Sequence, residues 1–233
     1  MKVLVTRPRP DAEKTAAALR NRGHVAVLAP LLDVQFRDDP EIAFDGVQAV
    51  LLTSANGARA LARRTARRDV PVFAVGAQTA EAARQTGFAN VRSADGDARA
   101  LADAVPRWAK AEDGALLHAS GAQTAGNLAA RLRASGFTVR AQTLYDVVPA
   151  ARLPAAAADA LASGDLESVM FFSPRSARIF SDLVGKAGLG HACGQLVAFC
   201  ISEACAQALG DLPFRAIWVA ARPDQDALLD LAG

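Results

Sequence analysis

The sequence predicts an α/β fold built from two similar domains, each a five-stranded, mainly parallel sheet flanked by helices. Three observations predict it. Short apolar runs alternate along the chain with longer alanine-rich helical patterns. The apolar runs are near-continuous and do not alternate with polar residues, which marks strands buried on both faces. The order of the segments also repeats within the chain.

The predicted strands run in order over 3–5, 25–28, 47–52, 72–75 and 90–92, then 115–118, 138–141, 169–172, 196–201 and 216–219. Most are separated by a helix-sized segment. The first, 11–22, places Ala12, Thr15, Ala16 and Leu19 on one side, the spacing of an amphipathic helix. Repeated strand–helix units make parallel sheets, because a parallel pair needs a crossover connection.

Ten strands suit one sheet or two, and the repeat decides for two. Val3-Leu4-Val5-Thr6, Gly23 and Leu31-Leu32-Asp33 recur as Leu116-Leu117-His118-Ala119, Gly136 and Leu144-Tyr145-Asp146, at a constant offset of 113. Val50-Leu51-Leu52-Thr53-Ser54 resembles Val169-Met170-Phe171-Phe172-Ser173. Val72-Phe73-Ala74-Val75-Gly76 resembles Ala198-Phe199-Cys200-Ile201-Ser202, and Gly87-Phe88 resembles Pro213-Phe214. The chain reads A, B, A′, B′, with linkers near 36–43 and 148–153 that carry Pro40 and Pro149. Short connections alone would pair neighbours, dividing the chain near residue 112.

Composition bounds the function. With 233 residues, 52% hydrophobic and 21% charged, the chain can bury a large core without disulfides. Its 54 alanines favour helices. A net charge of +2 with interspersed signs is no nucleic-acid footprint. Arg63, Arg64, Arg67 and Arg68 are expected on one helix as a solvated face. The opening residues do not read as a signal peptide, and no apolar stretch approaches the roughly 18 residues of a membrane helix. Cys193, Cys200 and Cys205 read as reduced, buried thiols. A cytoplasmic monomer with no nucleic-acid or membrane partner is expected.

Strong catalytic signatures do not occur. There is no Gly-x-Gly-x-x-Gly after the first strand, no Walker loop, no Cys-x-x-Cys and no Gly-x-Ser-x-Gly. His24, His118 and His191 lie at no metal-ligand spacing. No metal, nucleotide cofactor or nucleophile triad is expected. What stands out is a polar rim where strands end and helices open: Thr6; Thr53 and Ser54; Gly76 with Thr79; Ser120 and Gly121; Ser173 before Pro174; Ser202 before Glu203. Open parallel sheets bind ligands outside the carboxyl ends of their strands. Helix N-termini there offer N–H donors and a positive dipole end, suited to carboxylates or phosphates. Ordinary N-capping would use the same residue types. Six such positions in two domains point to an anion-binding cleft.

The opening Val3-Leu4-Val5-Thr6-Arg7-Pro8 resembles that of the uroporphyrinogen-III synthases. So do Thr53-Ser54-Ala55-Asn56-Gly57, Val72-Phe73-Ala74-Val75-Gly76 with Thr79-Ala80, Thr143-Leu144-Tyr145 and Phe171-Phe172-Ser173-Pro174. These short motifs occur in the family's order through nearly the whole chain. One departure is Ile201-Ser202-Glu203-Ala204-Cys205, where the family often has Gly-Pro-Thr-Thr-Ala; Ser202 could supply a donor one turn earlier.

The resemblance implies a cofactor-free enzyme of tetrapyrrole synthesis. Its substrate would be hydroxymethylbilane, a linear tetrapyrrole with eight carboxylates. The enzyme would remove the terminal hydroxyl as water, invert ring D through a spiro intermediate and close the macrocycle. Such a reaction asks mainly for positioning, which suits a rim of donors without strong acid–base groups. The resemblance singles out Tyr145, the only tyrosine in the chain, as the catalytic residue. A phenol can hydrogen-bond or protonate the leaving hydroxyl. Thr6, Arg7, Thr53, Ser54, Gly76, Thr79, Ser120, Gly121, Ser173 and Ser202 become the substrate-binding set, with Arg9, Arg175 and Arg222 as further partners for carboxylates. The resemblance also implies interleaved domains: 1–34 with 149–233, and 37–146, joined by two linker strands near 31–38 and 143–152. A non-enzymatic, cytosolic two-domain protein that closes on a small anion is the alternative reading.

Overall fold

The computed structural model describes residues 1–38, 41–123 and 126–233. Pro40 lies outside them. The strands are β1 (Lys2–Val5), β2 (Val25–Leu28), β3 (Leu32–Phe36), β4 (Val47–Leu52), β5 (Val72–Ala74), β6 (Val91–Ser93), β7 (Ala115–Gly121), β8 (Val139–Pro149), β9 (Ser168–Phe171), β10 (Val197–Cys200) and β11 (Ala216–Val219). The helices are α1 (Asp11–Asn21), α2 (Ala55–Arg64), α3 (Ala77–Gln85), α4 (Ala98–Ala104), α5 (Leu128–Ala134), α6 (Ala155–Ala162), α7 (Pro174–Lys186), α8 (Glu203–Gln207) and α9 (Gln225–Asp230).

The chain forms two compact units, Met1–Asp33 with Val148–Gly233, and Val34–Val147. The sheet of the first runs β11-β10-β9-β1-β2, and every pairing in it is parallel. The second sheet runs β3-β8-β7-β4-β5-β6. Its core pairings β7–β8, β4–β7, β4–β5 and β5–β6 are also parallel. Setting β3 aside, the two orders coincide under the repeat: β2 matches β8, β1 matches β7, and β9, β10 and β11 match β4, β5 and β6. Each sheet thus combines one A-type and one B-type segment, and the edge strand β3 adds a sixth to the second.

Strand β3 meets β8 as a ribbon. The Arg37 N–H donates to the Leu144 carbonyl at 2.9 Å, and the Ala150 N–H to the Leu31 carbonyl at 2.9 Å. As the first strand advances the second retreats, so the two run antiparallel. Strand β8 therefore continues well past residue 141 to Pro149 and takes in the linker strand expected near 143–152.

Near-continuous apolar runs are buried on both faces, as their pattern requires. In β1, Val3 and Val5 enter one core with Leu19, Met170, Phe199 and Leu228, while Leu4 enters the other with Phe171, Phe180 and Leu209. In the second unit Val50 and Leu52 pack with Leu61, Val72, Phe88 and Leu117. Leu51 faces the other way, with Phe73, Leu101, Leu116 and Leu132. Removing one such leucine side chain costs about 2–5 kcal/mol. Helix α1 buries Ala12, Thr15, Ala16 and Leu19, the face read from its spacing.

The four arginines after residue 62 do not share a helix. Helix α2 stops at Arg64 because Thr65 is extended, with φ −155° and ψ 145°. Arg63 stacks on Phe36, Arg67 on Phe44 and Arg68 on Phe88, at 4.7, 5.2 and 5.0 Å from the ring centroids. Arg68 also donates to the carbonyls of Ala62, Thr65 and Thr86, closing the C-terminal ends of α2 and α3. Arg63 and Arg67 remain exposed over the rings they cover, whereas Arg64 is buried and Arg68 half-buried, so only part of the set is a solvated face.

Candidate active site

In the second unit, strand β4 delivers Thr53 and Ser54 to its carboxyl end. Ser54 is the N-cap of α2: its backbone is extended, and its hydroxyl accepts the Gly57 N–H at 2.9 Å. The same hydroxyl lies 2.8 Å from the phenol oxygen of Tyr145. Tyr145 comes from β8, two strands away in the sheet, and is buried. Its position depends on a slip in register. Ser120 stands opposite Thr143, but Gly121 stands opposite Tyr145, so one residue of β8 is skipped. The bulge sets Leu144 and Tyr145 into the same core.

Gly121 makes room for the ring. A Cβ there would stand 2.8 Å from Tyr145 Cε2 and Cζ. Gly57 is tightly placed too, its missing Cβ 3.1 Å from the Ala119 carbonyl and 3.4 Å from Ser54 Oγ. Ser54, Gly57, Gly121 and Tyr145 thus form one packed cluster, assembled from the end of β4, the first turn of α2, the end of β7 and the middle of β8. Gly76, at the end of β5, caps α3 with extended backbone and no side chain, which leaves that helix's first turn without a side-chain acceptor. Thr79 sits in that turn and is buried.

In the first unit, Ser173 caps α7 by accepting the Ser176 N–H at 3.1 Å, and the two hydroxyls lie 3.0 Å apart. Ser202 caps the short α8 by accepting the Cys205 N–H at 3.3 Å. The Cys205 thiol donates to the Phe171 carbonyl at 3.6 Å. Its hydrogen bond to Cys200, with burial, pushes the Cys200 thiol well up.

Two rim positions differ from the sequence reading. Thr6 and Ser120 end strands but open no helix. The N-cap of α1 is Pro10 and that of α5 is Asn127. Thr6 is wholly buried and donates its hydroxyl to the Met170 carbonyl at 2.8 Å. Ser120 donates to the Gly121 carbonyl at 3.2 Å. By strand alternation Ser120 shares a face with Leu116 and His118, away from Leu117 and Tyr145. Arg7 is buried at the end of β1: it donates to Gln225 at 2.8 Å and Thr15 at 3.3 Å, and stacks on Phe172 at 4.2 Å. Its guanidinium ties α1 to α9.

The caps divide by charge. After four of the inner strands, β4, β5, β9 and β10, they are Ser54, Gly76, Ser173 and Ser202, all neutral; after the inner strands β1 and β7 they are Pro10, followed by Asp11 and Glu13 in the first turn of α1, and Asn127. After the edge strands β6 and β11 they are Asp97 and Asp224. Asp97 accepts from Ala100 and Arg99, Asp224 from Ala227, and these N–H groups hold both carboxyls below the usual range. An acidic cap already satisfies the positive end of its helix, whereas a neutral one leaves it to a ligand. Both units therefore carry uncharged caps at the same repeat positions, although α8 has Glu203 in its first turn.

Sequence reasoning missed the Arg37–Asp146 pair, bidentate at 2.7 and 3.0 Å, which joins β8 to the segment after β3 beside Tyr145. Asp146 is held low by it. No local signal links residues 109 apart. It also missed Gly57 as the donor to Ser54, although a third-position N–H is what an N-cap serine reaches. Among the described residues, no three His, Cys, Asp and Glu side chains group as a metal site, and no helix is long and apolar enough to cross a membrane.

No curated protein matches the chain. Two solved structures share the fold over nearly its full length. Uroporphyrinogen-III synthetase from Helicobacter pylori has a TM-score of 0.65 at 15% identity, covering 99% of this chain and 97% of that one. A mutant uroporphyrinogen III synthase from the extremely thermophilic bacterium Thermus thermophilus has a TM-score of 0.53 at 17% identity, covering 100% and 97%. The family model described as uroporphyrinogen-III synthase HemD matches residues 13–230, and the chain belongs to that family.

Proposed function

We propose that this protein is a uroporphyrinogen-III synthase, converting hydroxymethylbilane to uroporphyrinogen III with inversion of ring D and loss of water. The observation that carries the reading is the Tyr145 phenol, held against the cap of α2 at the carboxyl edge of a parallel sheet. The neutral caps Ser54, Gly76, Ser173 and Ser202 suit the eight carboxylates of that substrate. With binding spread over many donors, the protein holds one conformation of a chain that can also close unaided. Thr53 and Thr79 stand at the same edge and complete the proposed contact set. Thr6 and Arg7 contribute from beneath by fixing strand ends.

The test is direct. Purified protein supplied with hydroxymethylbilane, without added metal or nucleotide, should give mainly the type III isomer after oxidation and separation. Tyr145→Phe should cut turnover more than Thr79→Ala or Ser173→Ala. A product distribution equal to the enzyme-free control would overturn the assignment.

A further inference from the structure

Arg37 follows the last residue of β3 and holds β8 on both sides of Tyr145. Its backbone N–H donates to the carbonyl of Leu144, the residue before, at 2.9 Å. Its guanidinium donates through Nε and Nη2 to the carboxylate of Asp146, the residue after, at 2.7 and 3.0 Å. Its own carbonyl accepts Nη1 of the buried Arg64, at the end of α2, at 3.2 Å. We propose that Arg37 is a positioning residue for Tyr145, bracketing it so that the phenol meets the start of α2 in one fixed place. The link to turnover rests on the synthase reading; the link to the phenol's position does not.

Strand β7 alone does not fix that position. Its register with β8 slips here: Ser120 stands opposite Thr143 and Gly121 opposite Tyr145, so β7 skips Leu144. A bulge disrupts the ladder locally and leaves the extra residue unpaired on that side. Arg37 takes the carbonyl of that extra residue, so the slip is fixed from the β3 side. The Tyr145 carbonyl turns the other way, to the Ala122 N–H at 3.0 Å. The last bond of a ladder frays unless something holds it, and Arg37 lies just beyond the end of β3. The fork onto Asp146 holds it, because paired bonds from a planar guanidinium fix orientation as well as distance. Helix α2 is thereby tied to the same stretch of β8 at both ends, through Arg64 to Arg37 and through Ser54 Oγ to the phenol at 2.8 Å. The Arg37 and Asp146 side chains are 41% and 38% exposed, and pairs this exposed add little to global stability. What the pair fixes is local.

Tyr145 is the only tyrosine, so protein isotopically labelled at the tyrosine Cζ gives a single carbon resonance that reports this phenol's surroundings. Arg37→Met keeps an unbranched chain and removes the fork; Asp146→Ala removes it from the other side. In each, the Cζ resonance should shift or broaden, and kcat should fall about 3-fold with KM within about twofold of wild type. The melting temperature should change no more than for an ordinary surface substitution. Arg37→Lys, which reaches the carboxylate as a point charge without the fork, should lie between wild type and Arg37→Met. The double variant should match the single ones, since all three lose the same interaction. A Cζ resonance unmoved in both single variants would overturn the proposal, whatever the melting temperature does. So would a double variant whose loss of kcat is the product of the two single losses, or a rise in KM at constant kcat. If the resonance moves as expected while the wild type shows no synthase activity, the synthase reading falls and the positioning of the phenol stands.

Discussion

Gly121 lies against the ring of Tyr145, with no room for a methyl group between them: a Cβ at 121 would stand 2.8 Å from Cε2 and Cζ and 3.2 Å from the phenol oxygen. The backbone is not the constraint, since Gly121 closes strand β7; the ring is. Gly121→Ala should therefore push the phenol off Ser54. Overpacking of this kind costs about 1–3 kcal/mol. The expected outcome is a fall in turnover of tenfold or more, with a drop in melting temperature no larger than that of an ordinary core substitution. Unchanged turnover would mean that the phenol's position does not matter.

Much of the fold is legible in the sequence because its signals are local. Near-continuous apolar runs locate the strands within a few residues, the far end of β8 excepted, since strands buried on both faces leave no polar alternation. Ser54, Ser173 and Ser202 are legible as caps because an N-cap is a one-turn device. The features that escaped reading depend on distant partners. Strand β8 runs without a break from the strand expected at 138–141 into the linker strand expected near 143–152, because β3 covers it, and that continuity has no local mark. Arg67 and Arg68 leave the helix with no glycine or proline to mark the break, drawn instead to Phe44, Phe88 and open carbonyls. The contact between Ser54 and Tyr145 spans 91 residues. Each residue could be suspected alone, but their meeting needed the register slip opposite Gly121.

Charge at a cap separates stability from binding. Ser173→Asp keeps the acceptor that Ser176 N–H requires and adds a negative charge at the start of the 13-residue α7. Aspartate is as good an N-cap as serine and favours the helix dipole, so melting temperature should hold or rise. A substrate carboxylate near that end would meet a like charge, worth about 1 kcal/mol at 4 Å in water. KM should rise about 5-fold while kcat stays close to wild type. A Ser173→Asp enzyme with unchanged KM would remove this helix end from the binding surface.

His118 gives the protein an acid-side instability. It is buried in β7 between Leu51 of β4 and Ala141 of β8, and its Nε2 has no hydrogen-bond partner. Burial disfavours the charged ring and lowers its pKa below the ordinary value of about 6.5. The unfolded chain therefore binds the proton first. Stability is complete above about pH 6.5 and declines as pH falls from there toward the lowered folded value, by at most about 1.4 kcal/mol per pH unit for one proton. His118→Leu removes that proton uptake and leaves no polar nitrogen stranded. Denaturant melts at pH 7.5 and 5.5 should show a smaller loss of stability on acidification in the variant than in the wild type. An equal loss in both would place the acid sensitivity elsewhere.

Where the chain can be cut follows from which strands share a sheet. The unit Val34–Val147 contains β4, β5, β6 and β7 whole, together with most of β3 and β8. Its two cores, around Leu52 and Leu117 on one face and Leu51 and Leu116 on the other, draw only on residues within that span. Expressed alone, 34–147 should fold cooperatively, with helical far-UV circular dichroism and a single denaturant transition. The fragment 1–112 is nearly the same length but should not. It keeps β1 and β2 without β9, their neighbour in the first sheet, and β4 without β7, its most central partner in the second. Both sides of the cut would then expose strands that are apolar on both faces, and half a core on each side cannot offset the entropy of ordering the chain. Circular dichroism and urea titration of the two fragments decide the matter. A cooperative 1–112 beside an unfolded 34–147 would show that the chain divides sequentially, with β3 and β8 as mere connectors.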